Sequence, residues 1–147
     1  MLPFYVLTAS FLLFWLLGIA GIAVFAAWQF DLRWARVAMF ALTSSAHWGR
    51  GRADLVRMVP SRFPHPGLLV TITGVLEILG ALGLLFPGIR HWASACLALL
   101  LMAMFPANVH AARQGMLIRG RRATTLPLRT VLQLLFIGAI LTAGWAR

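Results

Sequence analysis

Residues 67–89 read GLLVTITGVLEILGALGLLFPGI, an apolar stretch whose one ionisable side chain, Glu77, falls near its middle. About 20 apolar residues in a helix suffice to cross the hydrocarbon core of a bilayer. An acid at that depth costs about 3 kcal/mol or more, so it is expected to face a partner, a cavity or a ligand. This stretch decides the class of the protein, and it also marks the first place to look for chemistry.

The rest of the chain agrees with a membrane reading. Of its 147 residues 61% are hydrophobic and 11% are charged, against roughly 25% charged in a soluble domain. The length suits one domain. Strand-like alternation is absent and the apolar runs are too long for barrel strands. Helices satisfy their own backbone groups in lipid, so the expected fold class is an all-α integral membrane bundle. Its spans are expected at about residues 4–28, 32–48, 67–86, 91–112 and 126–145.

Each span has its own signals. Pro3–Trp28 has no charged side chain, no basic n-region, and more apolar length than a signal peptide. Val24-Phe25-Ala26 resembles a cleavage site only faintly, so a retained helix is expected. Asp31 reads as the N-cap of the second helix. Arg33 and Arg36 are expected to snorkel to the interface beside Trp28 and Trp34. This span is the weakest, and a re-entrant or interfacial helix is its competing reading. In the 49–66 connection, Leu55, Val56, Met58 and Val59 suggest a short amphipathic turn on the membrane surface. Pro66 suits a first helical turn. Pro87-Gly88 makes the third and fourth helices antiparallel neighbours, Pro106 predicts a kink in the fourth, and Pro127 starts the last.

Charge adds orientation. The net charge is +10, carried by thirteen arginines with no lysine, against three acids. The arginines cluster in the 49–66 and 113–125 loops, which the positive-inside rule places in the cytoplasm together with the N-terminus. A multi-pass membrane protein is expected, with the bilayer rather than nucleic acid as the partner of this charge. Cys96 is the only cysteine, which excludes an intrachain disulfide and a CxxC pair. The four histidines show no metal-ligand spacing, and phosphate-binding or nucleophile-elbow motifs are absent.

Candidate site residues follow from the polar positions within the spans. Gly74, Glu77, Gly80 and Ala81 share one broad side of a helix, where small residues admit a neighbouring backbone. Glu77 reads either as a carboxyl joining two helices or as a proton-accepting or ligand-binding group. Thr73 lies beside it. His47 follows Thr43, Ser44 and Ser45, a hydroxyl cluster next to a titratable ring. Pro106 frees a carbonyl near Asn108, an arrangement that suits a cavity wall or helix packing, and Gln133 carries the same two readings. The expected polar pocket is Glu77, His47, Asn108, Thr73 and Ser44, with Gly74, Gly80 and Pro106 shaping the helices.

These residues carry a family resemblance. Ala46-His47-Trp48, Asp54-Leu55, Met58-Val59-Pro60 and Phe63-Pro64-His65-Pro66 resemble the DoxX-like family of small bacterial membrane proteins. So do Thr73-Gly74-Val75-Leu76-Glu77-Ile78-Leu79-Gly80-Ala81, Gly83-Leu84-Leu85-Phe86-Pro87, Phe105-Pro106-Ala107-Asn108-Val109 and Leu126-Pro127-Leu128-Arg129. The resemblance covers about residues 34–145. It implies a four-helix core, to which this chain adds one N-terminal helix. Trp48 departs from the phenylalanine expected after the histidine.

The family is named for a subunit of a thiosulfate:quinone oxidoreductase, and other members are linked to redox and oxidative stress. The resemblance therefore implies a small-molecule or quinone-interacting subunit serving a redox partner protein, with quinone or lipid as the non-covalent ligand. Copies of the same chain are a further expected partner. The other reading is a non-catalytic assembly or stress factor, in which the same residues only pack helices. Resemblance fixes a fold more firmly than an activity.

Overall fold

A computed structural model describes residues 2–22, 28–118 and 120–145. Among them the chain forms α1 (Leu2–Ile19), α2 (Trp28–Ser45), α3 (Arg52–Met58), α4 (Pro66–Gly83), α5 (Arg90–Arg113), β1 (Leu117–Ile118), β2 (Arg121–Arg122) and α6 (Leu126–Trp145). The architecture is helical throughout, and the two strands are a two-residue antiparallel hairpin in the loop before α6. α4 and α5 are each long and apolar enough to cross a membrane.

The helix ends follow local chemistry rather than the limits of the apolar runs. The run Pro3–Trp28 predicts one helix, yet α1 stops at Ile19. Gly21 adopts φ +92, its N–H donates to Gly18 O, and Ile22 N–H donates to Leu17 O. That pair of bonds is a Schellman closure, which glycine's freedom at positive φ allows. The same closure ends α5, through Gly115 N–H to Ala112 O and Met116 N–H to Ala111 O. Val24-Phe25-Ala26 lies outside the described residues.

Three expectations are corrected. Asp31 is not an N-cap, because α2 begins at Trp28 and places it in the first turn. There it still meets the N-terminal dipole. Arg36 does not snorkel outward: it is 2% exposed, and its Nη2 donates to Thr142 Oγ1 at 3.1 Å. Its position four residues before Phe40 sets it on the inward face of α2. Residues 52–58 are a helix and not a turn: α3 packs on α4 and α5 and buries Met58, while Leu55, Val56 and Val59 stay half-buried.

The helices contact one another in the order α2–α4, α4–α5, α5–α6 and α6–α2, with α1 against α2. Val70, Gly74, Glu77 and Ala81 are buried along α4. Their spacing of four, three and four residues is one helix face. Met39, Phe40, Ala81, Leu84, Leu97 and Ile140 form the buried apolar cluster.

α5 and α6 are joined along a seam. Ser94 Oγ donates to Ile140 O at 2.8 Å, Gln133 Nε2 to Leu101 O at 2.5 Å, and Arg129 Nη1 to Asn108 Oδ1 at 2.7 Å. Ser94, Leu101 and Asn108 recur every seven residues, the repeat that keeps one seam facing a neighbouring helix.

Glycine sets the closest approaches to α4. A Cβ at Gly80 would lie 2.5 Å from Leu97 Cγ, and one at Gly83 would lie 2.7 Å from Ala93 Cβ. At Gly74 it would lie 2.7 Å from His47 Cβ and Cγ and 2.8 Å from Trp48 Cη2. Gly74→Ala therefore forces the 46–48 turn off α4 and is expected to cost about 1–3 kcal/mol. Denaturant unfolding in a fixed detergent checks this, and an unchanged midpoint would contradict the tight contact.

Candidate functional site

α2 ends at Ser45, and the chain continues in tight turns: Ala46 N–H donates to Thr43 O and His47 N–H to Ser44 O. These turns carry His47 back over α4 above Gly74. The imidazole is 3% exposed. Its Nδ1 lies 2.6 Å from Val70 O and 3.4 Å from Thr73 Oγ1. A carbonyl can only accept, so Nδ1 carries hydrogen and donates to Val70. Nε2 then faces Glu77 Oε2 at 3.7 Å. That separation is within ion-pair reach and longer than a hydrogen bond.

Glu77 is 3% exposed and accepts from Thr43 Oγ1 at 3.2 Å. A buried carboxylate needs a countercharge or it must bind a proton. His47 supplies that countercharge when it is protonated on both nitrogens. Nε2 is thus the nitrogen that faces the carboxyl, while Nδ1 is committed to Val70.

The turn is held by Arg52. Its Nη1 donates to His47 O at 2.7 Å, and its Nη2 donates to Gly67 O and Thr71 Oγ1, each at 3.0 Å. One guanidinium thereby ties the turn after α2 to the first turns of α4. Its planar fork suits such multiple bonding.

Glu77 reaches a cavity of about 230 Å³. Its polar wall is Thr43, Glu77, Asn108, Thr124, Arg129 and Gln133, and its apolar wall includes Phe4, Met39, Phe40, Leu132 and Phe136. Arg129 donates to Asn108 Oδ1, as noted, and through Nε to Thr124 O at 3.2 Å. A drug-sized ligand usually occupies roughly 300–1,000 Å³, so this space suits a head group or one substituted ring.

The expected pocket is rearranged in this geometry. Glu77 and Asn108 line the cavity, whereas His47 and Thr73 stand behind Glu77 and do not reach its wall. Ser44 does not join them: it is buried, and its hydroxyl donates to Phe40 O within its own helix. One residue of helix turns the side chain by about 100°, so Thr43 faces Glu77 and Ser44 faces away. Gly74 and Gly80 are at close helix contacts, and Pro106 lies within α5.

Arg52 and Arg129 bond inward at the site, although charge counting alone gives neither a place there. A signal for Arg129 does exist in the sequence. Arg129, Gln133, Phe136 and Ile140 follow the spacing of one helix face. Among the described residues no group of three or more His, Cys, Asp or Glu could hold a metal ion.

The fold and site define a small helical protein with a buried acid–histidine pair beside a partly polar cavity. The chain belongs to the family described as a domain of unknown function (DUF8561), whose model matches residues 35–143. No curated protein and no solved structure matches it.

The hydrogen-bond partner of Nδ1 sets the imidazole tautomer. ¹⁵N NMR of histidine-labelled protein is expected to show His47 protonated at Nδ1 at every pH where the fold persists. A neutral ring protonated only at Nε2 would contradict the Val70 contact.

Proposed function

We propose that this protein is a DoxX-like, multi-pass membrane protein that binds a small amphipathic molecule of the quinone type and serves a redox partner protein. The observation that carries the reading is the carboxyl group of Glu77, buried yet lining a cavity, with a titratable ring behind it. A group placed to accept or return a proton at a cavity wall is the requirement of general acid–base work and of proton-linked ligand binding.

Membrane insertion is supported by the surface. Leu68, Ile72, Leu76 and Leu79 on α4, Trp92 and Leu99 on α5, and Leu134 and Leu135 on α6 are all exposed. Contiguous apolar surface of this kind is rare on a soluble monomer. The cyclic contact order of α2, α4, α5 and α6, with α1 set against α2, suits a four-helix core plus one added helix. In this reading the five long helices span an inner membrane and the α2–α4 and α5–α6 loops are cytoplasmic, where their arginines meet anionic lipid. The chain lacks a recognisable redox centre in its sequence, so the partner or the bound molecule supplies the electrons.

The second reading is an assembly or stress factor in which Glu77 only joins helices, and the Thr43–Glu77 bond between α2 and α4 favours it. Two substitutions separate them. Glu77→Gln keeps the size and the bond from Thr43, so it is expected to fold with nearly unchanged melting. It should lose the proton-linked activity and the small molecule recovered by mass spectrometry of the purified chain. Glu77→Leu is expected to destabilise the fold by about 1–3 kcal/mol, through the stranded Nε2 of buried His47, while the Thr43 hydroxyl keeps Phe40 O as acceptor. A fully active Glu77→Gln variant with nothing bound would favour the packing role.

A further inference from the structure

The charges around the cavity do not balance. The chain has three acids. Asp54 pairs with Arg57, and Glu77 faces His47. Asp31 is buried in the first turn of α2. Among the described residues no carboxylate forms an ion pair with Arg129, whose acceptors are the neutral Asn108 Oδ1 and Thr124 O. The guanidinium is part-buried and lines the cavity. Glu77, on the same cavity, already has a donor in Thr43 and faces the His47 imidazole.

A guanidinium drawn from water toward neutral acceptors keeps an unsatisfied preference for an anion. We infer that the cavity takes a small organic carboxylate, with its anion on Arg129 and its apolar body against Phe40, Leu132 and Phe136. A single guanidinium opposite a carboxyl group limits the ligand to one negative charge, since a dianion would leave its second charge facing Glu77. A cavity of about 150 Å³ holds benzene, so the 230 Å³ here admits a ring bearing a carboxylate. This inference rests on the cavity being a ligand site, and in place of a neutral quinone it assigns that site a singly charged carboxylate. Arg129 is the anchoring residue, and Glu77 is left on the same cavity for a second, neutral polar group of the ligand.

The same chemistry has two sources, a free aromatic acid or a fatty acid from the bilayer. The full chain in phosphatidylcholine nanodiscs is titrated calorimetrically with benzoate and decanoate, each compared with its neutral amide. Either acid is expected to bind roughly tenfold or more tightly than its amide, as charge-assisted bonding to a guanidinium implies. Benzoate alone showing the preference identifies a free acid, and decanoate alone identifies the lipid source. Both outcomes support the inference. Arg129→Gln is expected to abolish the preference while residual binding of the amides persists, and the acid–amide comparison on the unaltered chain stands even if that variant fails to fold. Equal binding of acid and amide, or a preference that survives Arg129→Gln, overturns the carboxylate assignment and leaves the cavity a site for neutral molecules. Absence of binding by all four compounds overturns the cavity reading as well.

Discussion

The buried carboxyl of Glu77 is the constraint on which the arrangement depends. A carboxylate out of water must be answered by donors and a countercharge, or else stay protonated. The answer comes from two directions. Thr43 reaches it from the last turns of α2, and His47 reaches it from the turn that follows. His47 could not approach if residue 74 carried a side chain. The turn itself would be poorly fixed without Arg52, which bonds to carbonyls on both sides of the α2–α4 junction. Glycine, carboxyl, imidazole and guanidinium thus form one device, and the packing of α2 on α4 is its consequence.

The second half of the bundle is organised differently. α5 and α6 meet along a seam whose ties are set by the position of polar side chains on a repeating face, and the seam ends at Asn108 and Arg129 beside the cavity. The cavity therefore lies between two polar systems. One is anchored on α4 and sets a carboxyl against an imidazole. The other is anchored on α6 and carries a permanent positive charge. Apolar side chains of α1, α2 and α6 close the space between them.

Much of this was legible in the sequence. The helical class followed from composition, and Pro66 and Pro127 marked the starts of α4 and α6 because proline acts locally, whereas Pro106 lies inside α5. Glu77 was conspicuous for the same reason that it matters, as an acid surrounded by apolar residues. The helix ends were less legible. Glycine closures at Gly21 and Gly115 operate through backbone hydrogen bonds that hydropathy does not register. Asp31 falls inside α2 because the helix starts at Trp28, and Arg36 turns inward to an acceptor on Thr142 across the bundle, neither of which hydropathy registers. Ser44 was grouped with His47 by proximity along the chain, although adjacent helical residues point in different directions. Arg52 and Arg129 were hidden by their company, since arginines in basic loops look alike until the structure shows which ones bond inward.

The seam between α5 and α6 has a consequence for how sequences of this family can diverge. Two of its three ties end on backbone carbonyls, at Leu101 and Ile140, and those acceptors exist whatever side chain the residue bears. Ser94 and Gln133 can therefore be lost or regained without any matching change on the opposite helix. The tie between Asn108 and Arg129 joins two side chains, and neither can change without stranding the other. Among related chains, correlated substitution across these helices should concentrate at 108 and 129 and fade toward Ser94. The end of the seam that borders the cavity is thus the end least free to drift.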